Sequence, residues 1–377
     1  MPGLPLGAER GEVESVTSDE LLARARFKMP VHACGYNWLD DNSKAATRLA
    51  NLVETLCKQY RCDQVALVTH SMGGLVARAC HLLPGMRDRI AGIVHGVMPA
   101  SGAAVAYRRC KVGMWDEDLK AALVIGKDGP GVTAVFAQAP GALQLLPTPD
   151  YVPHRKSEAW LRICDEQGRL VAYPGTDPYR DIYLRRDRWW GLVREEWLAP
   201  KDGQPIGWED YKRNILLARD FHVDLHDSYH PNTYVFYGDD AEQHSFERVT
   251  WQMRPGTAPD GRPRPDAIAA SRLGFPDVRD EGRTPLHVGG QRQPRTFGKD
   301  TQTSYWELHC LMQDGAGDGT VPGSSGSAPL RRDRQGCIRQ QFRLEGFKHE
   351  PAFKDEGARQ VTLYALVKIA AQARRST

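Results

Sequence analysis

Three kinds of side chain in this 377-residue sequence could together cleave an acyl bond, and their order along the chain suits that chemistry. Ser71 stands in Val65-Ala66-Leu67-Val68-Thr69-His70-Ser71-Met72-Gly73-Gly74-Leu75-Val76. A serine hydroxyl is a weak nucleophile until a neutral imidazole accepts its proton, and that imidazole needs a carboxylate to hold its tautomer. His349, in Lys348-His349-Glu350-Pro351, is the candidate base. Three carboxylates compete for the third role. Asp239 and Asp240 directly follow the apolar run Val235-Phe236-Tyr237, and Asp318 lies in Gly317-Asp318-Gly319-Thr320-Val321-Pro322. Two rival histidines fit less well, since His95 sits inside an apolar run and His309 precedes the Asp318 loop.

These residues need elements to position them. The apolar run Val65 to Val68 predicts a short buried strand, and Leu75, Val76 and Cys80 follow at helical spacing. A strand, a sharp turn at the serine and then a helix would lift the hydroxyl above the sheet edge. Gly73 and Gly74 let the backbone turn tightly and the helix approach the strand. Thr69 stands where this pattern usually has glycine. The Met72 N–H, next after the nucleophile, is one expected donor to an oxyanion. A second donor normally follows an earlier strand, and residues 1–17 contain no apolar strand to supply it.

Around the elbow the chain alternates. A helix over Ser18–Ala25 with Ser18 as its cap precedes a strand over Pro30–Cys34. A second helix follows, capped by Asn42 or Ser43, with Leu49, Leu52, Val53 and Leu56 on one face. Residues 90–97 form another buried strand, so β-α-β-α-β runs from about 30 to 97 and predicts parallel strands with right-handed crossovers. Core strands return at 232–238 and 338–347, and a helix over 356–373 closes the chain. Between these, residues 103–230 carry many tryptophans with weak periodicity and predict an inserted cap offering an apolar wall to a substrate. Residues 246–251 predict a hairpin strand, and 254–304 a long Pro/Gly-rich loop. The fold expected is a single α/β-hydrolase domain over 1–377, with a mostly parallel sheet and a large inserted cap. Its N-terminal strands are expected to be reduced or missing. The reading expects a true start upstream of Met1 and an exposed edge at Pro30–Cys34.

Composition narrows the function classes. The 50 Lys and Arg are interspersed with 47 Asp and Glu for a net charge of +3, so charge implies no nucleic-acid partner. The eight cysteines form no Cys-x-x-Cys pair and no zinc spacing, so neither metal nor cofactor is implied, and the thiols are expected to be reduced. The start lacks the build of a signal peptide, and no apolar run is long enough to cross a bilayer. The expected product is cytoplasmic as synthesised.

The combination of Thr69-His70-Ser71-Met72-Gly73-Gly74, the Gly-Asp-Gly-Thr-Val-Pro segment and the late histidine resembles the lipases related to lecithin:cholesterol acyltransferase and GPI inositol-deacylase. Gly35-Tyr36-Asn37-Trp38 resembles an aromatic turn of that group, and His95-Gly96-Val97-Met98-Pro99-Ala100 is similar to bacterial lipases associated with type VI secretion. The resemblance implies Asp318 as the triad acid, with Ser71 and His349. It implies a serine carboxylester hydrolase of lipase or phospholipase A type, acting on lipid or other acyl esters. Delivery by secretion machinery, an immunity protein and transient contact with a membrane surface belong to the same expectation. Two alternatives stand beside it. One is an acyltransferase on the same triad; the other is a catalytically idle hydrolase fold serving as a binding module.

Overall fold

The computed structural model describes residues 7–117, 126–151, 159–172, 175, 177–198, 206–258, 263–267, 270, 278–290, 292–293 and 301–373. The chain divides into two compact units: Met1–Ala103, Ala218–Ser245 and Asp314–Thr377 form one, Ala104–Leu217 and Phe246–Gln313 the other.

The first unit is built on a five-stranded sheet. Val65–His70, Ile90–Gly96, Thr233–Gly238 and Ile338–Leu344 run side by side in parallel, and Gly7–Ala8 adds a short antiparallel edge. Alternate residues of a strand face opposite sides, so a parallel strand covered on both sides must be apolar throughout. Leu67 faces a layer made by the helices Asn42–Tyr60 and Gly73–Leu82, where Ala46, Val53, Val76 and Cys80 are buried. Ala66, Val94 and Tyr234 face Ala365 and Ile369 of the C-terminal helix Glu356–Gln372. This covered, twisted sheet places the loops after His70, Gly238 and Leu344 at one edge.

Several local expectations change. Residues 30–34 form no strand; Val31 is 95% exposed, and the elbow strand Val65–His70 is itself the sheet edge among the described residues. An apolar pentapeptide satisfies a strand pattern, but pairing needs a neighbour that this one does not find. The antiparallel edge expected to be missing is present in part as Gly7–Ala8. The first helix is capped by Thr17 rather than Ser18. Thr17 Oγ1 accepts from the Glu20 N–H at 3.2 Å, and the Glu20 carboxylate accepts from the Thr17 N–H at 2.9 Å, a reciprocal capping box. The second helix is capped by Asp41.

The second unit draws on two segments rather than on the expected insertion over 103–230, whose end from Ala218 onward belongs to the first unit. The reason is strand pairing across the sequence. Its six-stranded sheet runs Leu170–Ala172, Leu161–Cys164, Val249–Pro255, Trp306–Cys310, Leu286–Val288 and Val278–Arg279. The stretch 246–251 thus contributes to a sheet interior, and the expected loop over 254–304 supplies strands of its own, while much of it lies outside the described residues. Trp160, Trp189, Trp190 and Trp208 are buried within this unit, Trp189 edge-to-face with Trp251 at 5.3 Å. Those four side chains fill the unit's own core, and Trp115 is exposed. Lys111 and Asp280 form a buried ion pair there at 2.9 Å.

Candidate active site

Ser71 directly follows the elbow strand with φ of 53°, a left-handed conformation that L-residues with side chains rarely adopt. Two contacts around the elbow explain how it is held. The Ser71 N–H donates to Gly96 O of the neighbouring strand at 3.0 Å. The helix Gly73–Leu82 then starts with two glycines, and a Cβ placed on Gly74 would lie 2.6 Å from Met98 Sδ, so glycine permits this approach. No backbone carbonyl among the described residues accepts from the Met72 N–H, which suits a donor kept for an oxyanion. Thr69 keeps its hydroxyl satisfied against His95 Nδ1 at 2.9 Å. His95 is fully buried, and desolvation holds its imidazole well below the ordinary 6.5.

His349 follows the strand Ile338–Leu344 and is buried. Its Nε2 lies 2.8 Å from Ser71 Oγ and its Nδ1 lies 2.8 Å from Asp318 Oδ2. The His349 N–H also donates to Asp318 O at 2.8 Å, so acid and base are fastened by backbone as well as by side chain. His70 Nε2 lies 2.9 Å from the His349 carbonyl oxygen.

Asp318 is buried and its carboxylate is fully engaged. Oδ1 accepts from the Thr320 and Val321 N–H groups at 3.0 and 2.7 Å, leaving Oδ2 for His349. The loop is tied down by paired strands Asp240–Ser245 and Gly315–Gly317, and by the Gly319 N–H donating to Ser245 Oγ at 3.1 Å. A Cβ on Gly238 would lie 2.8 Å from Asp318 Cβ, so the loop can seat only against glycine. The two competing acids are engaged elsewhere. Asp239 pairs with Arg343 at 3.6 Å, and Asp240 accepts from the Gly346 and Glu242 N–H groups at 2.8 Å each.

The structure therefore brings Ser71, His349, Asp318 and the Met72 amide together, and leaves Asp239 and Asp240 outside the hydrogen-bonded chain. Sequence reading missed His70, whose type beside a serine carries no periodic signal.

A parallel sheet with a strained serine elbow and a histidine–aspartate pair after later strands defines an α/β-hydrolase-like fold. No protein-family model and no curated protein matches the chain. Among solved structures, the chain is similar to one described as the crystal structure of the Tle4–Tli4 complex. The match has 30% identity and a TM-score of 0.72, and covers 98% of this chain and 74% of that one. The chain belongs to the Tle4 family. Of the two resemblances read in the sequence, this supports the one to type VI secretion lipase effectors and not the one to the lecithin:cholesterol acyltransferase group. Among the described residues no helix is long and apolar enough to cross a membrane.

Proposed function

We propose that this chain is a serine carboxylester hydrolase acting on lipid esters, of lipase or phospholipase A type. The observation that carries the reading is the unbroken relay from Ser71 Oγ through His349 to Asp318, with both links at 2.8 Å. In this scheme Ser71 donates its proton to His349 Nε2 as Oγ bonds to the acyl carbonyl carbon. Asp318 Oδ2 stabilises the imidazolium that forms, and the Met72 N–H donates to the oxyanion. His349 then protonates the departing alcohol as the tetrahedral species collapses to an acyl-enzyme on Ser71. A water, deprotonated by His349, releases the fatty acid and restores the serine.

Family membership supports the type VI lipase reading, with delivery by a secretion system and a Tli4-like partner as an immunity protein. The test compares purified protein on phospholipid vesicles, long-chain esters and acetyl esters. Release of fatty acid from long-chain substrates in preference to acetate is expected. Equal rates on both, or no release from any ester, would overturn the reading.

A further inference from the structure

His70 makes one contact that reaches across the site. It belongs to the elbow strand and directly precedes the nucleophile, yet its ring nitrogen Nε2 meets the backbone carbonyl of His349, 279 positions further along the chain, at 2.9 Å. A carbonyl oxygen only accepts, so His70 carries a proton on Nε2 and donates. The His70 and His349 rings lie 5.0 Å apart and tilted, and the Phe353 ring lies 6.2 Å from that of His70. The remaining tether on that carbonyl is the Ala352 N–H at 3.3 Å, a longer bond from within the same loop.

The loop around His349 is thus fixed at two ends by different elements. Asp318 holds its N–H and Nδ1, while His70 holds its C=O. The second tether joins the base directly to the last residue of the strand that leads into Ser71. A shift of the loop along the sheet edge that lengthened the Nε2 to Oγ distance would also have to stretch or break the His70 bond.

We propose that His70 is a positioning residue that holds His349 in line with Ser71. The proposal rests on the reading of Ser71 and His349 as nucleophile and base. His70 touches neither the reacting hydroxyl nor the imidazole nitrogens, and it acts through the His349 backbone.

The experiment substitutes His70 in the full chain and reads two properties. The amide nitrogen of a glutamine can reach the place of an imidazole Nε2, an asparagine is too short, and phenylalanine keeps the volume without the donor. On a long-chain ester, His70→Phe and His70→Asn are expected to lower kcat by roughly 10- to 100-fold with KM within about twofold, since small misplacements of a catalytic group carry losses of that order. His70→Gln should recover kcat to within about threefold of wild type. The second readout needs no turnover: the downfield Nδ1–H proton signal of His349 in NMR spectra. It should exchange with water faster in His70→Phe and His70→Asn, and at the wild-type rate in His70→Gln. Wild-type kcat and exchange in His70→Phe would overturn the proposal, as would Gln and Asn variants that lose both alike. If the wild type hydrolyses no ester, the reading of the function fails by itself and the exchange rates still decide the role of His70. Were His70→Phe not to fold, the Gln against Asn comparison carries the same decision.

Discussion

Ser71 Oγ lies 2.8 Å from His349 Nε2, although 278 positions separate the two residues in the chain. The sheet explains the meeting. Parallel strands joined by crossovers all end at one edge, so loops that are remote in sequence converge there. Asp318 reaches the same edge by another route, from the paired strands Asp240–Ser245 and Gly315–Gly317.

The relay predicts how single substitutions combine. Ser71→Ala, His349→Ala and Asp318→Asn should each lower kcat by about 10⁴-fold or more while the thermal midpoint stays near wild type. Because the three act as a unit, double variants should be little worse than singles. Asp239→Asn should keep near-native turnover. Loss in Asp239→Asn with retention in Asp318→Asn would reverse the assignment.

Gly238 gives a second, purely steric prediction. A methyl there meets Asp318 Cβ at 2.8 Å and Gly317 O at 3.2 Å, and backbone of a tied loop cannot easily yield. Gly238→Ala should destabilise the protein by about 1–3 kcal/mol and lower kcat, since the displaced carboxylate loses His349. Urea unfolding and steady-state kinetics read both. Normal values of both would mean the loop is free to shift.

Much of this arrangement is legible in the sequence, and what is not has physical causes. The elbow announces itself because the pattern changes from a continuous apolar run to helical spacing on either side of Ser71. His349 is legible from its place after the last strand. Asp318 could not be chosen over Asp239 and Asp240 by position alone. What separates them is which carboxylate has a free oxygen facing His349, and that depends on bonds to Arg343, Gly346, Thr320 and Val321. Pro30–Cys34 misleads because strand character is local while pairing is not. The second unit misleads for the same reason: Leu161–Cys164 pairs with Val249–Pro255 across a long stretch of chain, so its tryptophans found a core that local pattern does not reveal.

Buried histidines make stability depend on pH. Desolvation lowers His81 to about 4, and it also depresses His230 and His95, with Arg78 adding repulsion at His81 and His95. In the folded state these rings stay neutral, whereas the unfolded chain takes up protons below about 6.5. Their contribution is therefore complete above that pH and is lost as pH falls below it, for His81 down to about 4 and by up to about 1.4 kcal/mol per pH unit. Urea midpoints should fall between pH 7 and 5, and His81→Asn should flatten the slope. A midpoint constant over that range would contradict the account.

Among the described residues the elbow strand pairs on one side only and carries no charged side chain, with Val68 46% exposed. Unprotected apolar edges pair with other chains. Val68→Lys should lower concentration-dependent light scattering. Scattering that is unchanged or higher would show that association, if any, uses another surface.

The central claim is that Ser71 is an activated nucleophile, and covalent labelling tests it most directly. An activated serine attacks the phosphorus of a long-chain fluorophosphonate, forming the Oγ–P bond and expelling fluoride while the waiting base takes the hydroxyl proton. Mass spectrometry of the treated protein should show one adduct, mapped to Ser71, absent from Ser71→Ala and formed much more slowly in His349→Ala. No adduct on the wild type, or an adduct that persists in Ser71→Ala, would contradict it.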